Sequence, residues 1–83
     1  MAFDITQYKF VVTSANESEY LTLECTDESK NPPMLLIEAE LINYKTCEVS
    51  IKQHKENLSL ELMEEFVRRT RYEIENGGNT DAT

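Results

Sequence analysis

The 83 residues contain no tryptophan, one histidine, and only two each of glycine, proline and cysteine. Each shortage removes a class of chemistry. Both glycines, Gly77 and Gly78, lie near the C-terminus, so there is no glycine-rich loop to cradle a phosphate and no dinucleotide fingerprint. Cys25, Cys47 and His54 are too few and too scattered for a structural zinc site, which takes four ligands in closely spaced pairs. The oxygen-rich stretch Asp27 to Asn31 has neither the alternating ligands nor the central glycine of a calcium loop. No metal and no cofactor are therefore expected.

Catalytic constellations are missing too. His54 stands among Lys52, Lys55 and Glu56 with no nucleophile motif, and reads as an exposed residue at a strand end. Cys47 cannot serve it as a nucleophile, because positions seven apart on a strand point to opposite faces. A non-catalytic protein is expected. The longest apolar run, Met34 to Ile37, is far short of the roughly 18 to 20 residues of a membrane span. The start, Met1 to Ile5, has neither the basic region nor the apolar run of a secretion signal. These features suggest the cytoplasm, of the source cell or of a host cell, where both cysteines would remain thiols buried in the core.

Positive charge is also scarce. Eight basic residues against sixteen acidic ones give a formal charge of -8, which opposes direct binding of nucleic acid or anionic membrane and favours a basic protein surface. The acids are spread along the chain, so no acidic tail accounts for the charge.

What is present is the material of one small core. Hydrophobic residues make up 40% of the chain, and a domain of this size buries about 60 to 65% of its unfolded surface. Residues 1–78 read as a single domain and 79–83 as a disordered tail. Phe3 to Thr13 alternates through Tyr8, Phe10 and Val12, but Phe3 and Ile5 have the opposite parity, which predicts a bulge or bend near Thr6 and Gln7. The polar residues 14–18 suit a hairpin loop, and Leu21, Leu23 and Cys25 alternate cleanly with polar neighbours. Asp27 to Pro33 is a connection.

Met34 to Ile42 is compatible with a second helix after a proline, but Leu35, Ile37, Ala39 and Leu41 also form a strand face. The strand reading is preferred because Cys47, Val49 and Ile51 alternate after a turn at Asn43 to Thr46. From Leu58 the period becomes helical, with Leu62, Met63, Phe66, Val67, Thr70 and Ile74 on one arc and Leu60 at its edge. Asn57 or Ser59 can cap its start, and Gly77-Gly78 ends it. The expected fold is α+β: a four-stranded antiparallel, meander-like sheet packed on one C-terminal amphipathic helix.

Two surfaces are candidates for contact. Arg68, Arg69 and Arg71 can be answered on the helix by Glu64, Glu65 and Glu75 at i,i+4 spacing. Tyr72 projects from the polar side near Glu65 and Arg68, where its ring can lie over Arg68. The sheet face away from the helix collects Tyr20, Thr22, Glu24, Glu38, Glu40 and Glu48, with Lys9 and Lys52 among them. Tyr20, Glu24, Glu38, Glu40, Glu48 and Tyr72 are the expected partner-binding residues.

The function these features suggest is a non-catalytic acidic protein that inhibits or modulates a partner with a basic site. That partner could itself be a nucleic-acid-binding protein, met by partial mimicry of nucleic acid. Phage-encoded host inhibitors and toxin-neutralising proteins have this size and charge. The alternative is an assembly subunit, monomer or homodimer, that self-associates through a strand edge or through Met34, Leu36 and Ile42 on the outer face.

Overall fold

A computed structural model describes residues 4–14 and 20–77. Phe3, most of the expected hairpin loop and the tail 79–83 lie outside these residues. The strands β1 (Tyr8–Ser14), β2 (Leu21–Asp27), β3 (Met34–Asn43) and β4 (Glu48–Gln53) pair antiparallel in the order β1-β2-β3-β4, and α1 (Leu60–Asn76) follows. The helical alternative for 34–42 does not occur.

Side-chain hydrogen bonds set the element boundaries. Asp4 accepts from the Thr6 N–H at 3.0 Å and the Thr6 hydroxyl at 2.6 Å, closing a 3-10 turn over Ile5–Gln7. The parity change before Tyr8 is thus a turn ahead of the strand, not a bulge within it. Past β2, Asp27 accepts from the Ser29 N–H at 2.9 Å, the Ser29 hydroxyl at 2.6 Å and the Gln7 amide at 3.2 Å. Burial pushes its pKa up, but these bonds outweigh burial and hold the carboxyl below its ordinary value. Asn43 accepts from the N–H groups of Lys45 and Thr46, the local bonding that makes asparagine a turn former. Cys47 takes a φ of 60° in that turn and is exposed, whereas Cys25 is buried. The expectation of two buried thiols therefore fails at Cys47, because β4 begins one residue later.

Two register shifts reshape β3. Cys25 pairs with Ile37 and Thr26 with Leu35, so Leu36 is the extra residue of a bulge; Ile42 is passed over in the same way between the Leu41–Val49 and Asn43–Glu48 pairs. The first bulge turns Leu36 inward, where it is 2% exposed within the core cluster. Leu35, paired with Thr26, falls on the outer face. This corrects three expectations: Leu35 does not share a face with Ile37, and neither Leu36 nor Met34, which pairs with Asp27 on the inner parity, joins Ile42 in an outer apolar patch.

The helix starts where Ser59 accepts from the Leu62 N–H at 3.1 Å. Leu62 and Phe66 pack on Leu23, Cys25, Leu36, Ile37 and Ala39, with Tyr8, Phe10 and Val12 partly buried beside them. Each fully buried large side chain contributes roughly 1.5 to 3 kcal/mol. Thr70, buried on the same helix face, gives its hydroxyl to the Phe66 carbonyl at 2.8 Å. The core draws chiefly on β1 to β3. From β4 only Val49 packs against it, and Ile51 and Val67 remain 49% and 41% exposed. Among the described residues, no helix is long and apolar enough to cross a membrane.

Candidate functional site

With α1 on one face of the sheet, no described strand or second α-helix packs on the other, where Thr22 is nonetheless 1% exposed. Strand alternation sends Glu24 of β2, Glu38 and Glu40 of β3, and Ser50 and Lys52 of β4 to that outer face. The register sorts them into rows. One row runs Val11, Glu24, Glu38, Lys52 across all four strands; the next runs Thr13, Thr22, Glu40, Ser50. Glu24 and Glu38 are thus directly opposed like charges, an arrangement that costs stability in an antiparallel pair. Along β3, Glu38 and Glu40 stand about 6.5 to 7 Å apart.

Groups on β4 and just past it offset that repulsion. Lys52 is opposite Glu38 in the β3–β4 register, and His54 Nε2 is hydrogen-bonded to Glu38 Oε1 at 2.6 Å. His54 reaches this position because its N–H donates to the Leu36 carbonyl at 2.7 Å, extending the β3–β4 pairing one residue beyond β4. Gln53 supports the turn that follows, donating its side-chain amide to the carbonyls of Lys55 and Glu56. Glu38, Glu40, Ser50 and Lys52 line a cleft of about 240 Å³.

The carboxylates on this face are acceptors held on a hydrogen-bonded sheet. A basic side chain brought to them gains charge-assisted hydrogen bonds without ordering a loop. Among the described residues there is no group of three or more His, Cys, Asp or Glu side chains able to hold a metal ion.

Five of the six expected contact residues belong to this side of the molecule. Glu24, Glu38 and Glu40 form its centre. Tyr20, exposed just before β2, has their parity, and Glu48 opens β4 opposite Asn43. Tyr72 does not join them. It is 61% exposed on α1 and lines a separate cleft of about 380 Å³ with Phe10, Val12, Leu23, Arg68, Arg69 and Glu73. A helix packed on the inner face cannot share a surface with the outer one.

The helix charges also pair differently from the expected pattern. Arg68 turns to Glu65 at 2.6 Å rather than to Glu64, and Arg69 meets the same carboxylate at 2.6 Å. Their hydrogen bonds bring the Glu65 pKa down to about 2. The cation-π contact forms between Arg69 and Phe10, 4.1 Å from the ring centroid, not between Arg68 and Tyr72. Arg71 lies 4.0 Å from Glu75, as expected.

His54 is the member of the site that sequence reasoning set aside. Its signal was its even spacing from Ser50 and Lys52, which puts it on their face of β4. Comparison with protein-family models, with curated proteins and with solved structures gives no match.

Proposed function

We propose that this chain is a non-catalytic acidic protein that docks the outer face of its sheet onto a basic site of a partner protein and so blocks or modulates that site. One observation carries the reading: the sheet face opposite α1 holds Glu24, Glu38 and Glu40 in fixed register across adjacent strands. Opposing Glu24 to Glu38 costs the free protein stability. A cationic partner would relieve that cost on binding, so the same carboxylates favour the complex over the free state. Tyr20 at one margin supplies an aromatic of the type enriched at interfaces.

The net charge of -8 would accelerate encounter with a basic partner and make association sensitive to salt. Partners that bind nucleic acid fit this description, because their basic sites already accept rows of anions.

The test is affinity capture from the native cell with two baits, the wild-type chain and Glu38→Lys/Glu40→Lys. The wild type should retain a basic protein that elutes as salt rises, and the double reversal should lose it. Removing one partner of a buried charge pair costs about 2 to 5 kcal/mol, so two reversals should weaken binding by at least about a hundredfold. Equal capture by both baits would refute the reading.

A further inference from the structure

The fourth strand ends the sheet, and no described residue pairs with its outer edge. We infer that this edge is a self-association surface, on which the β4 strands of two copies pair antiparallel about a two-fold axis at Ser50. The inference differs from the acidic-face reading in its contact, the β4 edge read out by oligomeric state, although Glu48 and Lys52 also border the outer face.

Backbone direction identifies the groups available. His54 donates inward to Leu36, and hydrogen-bonded pairs alternate along an antiparallel ladder. Ser50 and Lys52 therefore direct their N–H and C=O groups toward β3, while Val49 and Ile51 direct theirs to the open edge. An unpaired edge of this kind is a template for another strand.

Sequence then selects the register. To continue one sheet with both helices on the same side, opposed residues must have the same parity. With Ser50 on the axis, Val49 faces Ile51 of the second copy, and Glu48 faces Lys52, each twice by symmetry. The inner face gains apolar pairs at the side chains α1 leaves half covered, and the outer face gains two opposite-charge pairs in the closer, non-hydrogen-bonded positions. Shifting the axis to Val49 sets Glu48 against Ser50, and shifting it to Ile51 sets Lys52 against Ser50; both abandon the charge pairs. A lysine on an edge strand ordinarily deters pairing, but here the symmetric register supplies it with a carboxylate.

Sedimentation velocity over a wide concentration range, with far-UV circular dichroism to verify folding, tests the inference. The wild type should form a dimer. Lys52→Glu should weaken it about tenfold or more, because both charge pairs become repulsions, and Glu48→Lys/Lys52→Glu should restore it. In a Cys47→Ser background, Ser50→Cys should form an intersubunit disulfide on oxidation more readily than Val49→Cys or Ile51→Cys. A monomer at every concentration would overturn the inference. So would a dimer indifferent to Lys52→Glu, a charge swap that fails to restore association, or faster cross-linking at position 49 or 51.

Discussion

Replacing Leu36 and Leu35 separately by alanine tests the β3 bulge, because simple alternation and the observed register assign the two leucines opposite roles. Leu36 is 2% exposed in the core. Its truncation removes three carbons, a transfer loss of roughly 2.4 kcal/mol at about 0.8 per carbon, and the cavity left beneath Phe66 and Leu62 raises the cost to about 3 kcal/mol. Leu35 is half-buried on the face opposite α1, so its truncation should cost about 1 kcal/mol. A chain of this length has a total stability of roughly 4 to 12 kcal/mol, and the difference between the variants is a large part of it. In urea, with a slope near 1 kcal/mol per molar, Leu36→Ala should lower the midpoint by about 2 to 3 M and Leu35→Ala by about 1 M or less. Equal shifts, or a larger one for Leu35→Ala, would refute the bulge and the placement of the outer face derived from it.

Ser59→Ala removes the acceptor for the Leu62 N–H and should cost about 1 kcal/mol, read by urea denaturation. The two thiols should differ sharply in alkylation: exposed Cys47 should react in the folded protein, while Cys25, buried and pushed up to about 11, should react only on unfolding. The Glu65 carboxyl, lowered to about 2 by its bonds from Arg68 and Arg69, stabilises the fold above its ordinary value near 4.5. That contribution should fade as pH falls from about 4.5 toward about 2. Melting temperatures of wild type and Glu65→Gln should therefore converge across that window, and a gap that stays constant would contradict the pairing.

The sequence patterns that proved legible are those in which one local rule acts alone. Leu21, Leu23 and Cys25 alternate without interruption, and β2 follows; Leu62, Phe66, Thr70 and Ile74 keep helical spacing behind a serine cap, and α1 follows. The β3 bulges were hidden because counting by twos passes through Leu36 and Ile42 without sign of the extra residue. Helical periodicity also shows which face is apolar but not which strands it covers, so the exposure of Val67 and Ile51 was not foreseeable from spacing. Tyr72 was a different matter. Its separation from the carboxylates follows from a two-layer fold, since the polar side of a helix on the inner face points away from the outer one. The carboxylate rows themselves required only parity and strand order, both of which were readable, whereas the contact of His54 with Glu38 depended on where β4 ends.

The most direct test of the acidic-face proposal is the affinity of the captured partner, measured by calorimetry for the wild type, Glu38→Lys/Glu40→Lys and Tyr72→Ala at one salt concentration. The outer-face variant should bind at least about a hundredfold more weakly, with Tyr72→Ala close to wild type. Loss of binding with Tyr72→Ala and retention with the double reversal would contradict the account and move the contact to the helix side.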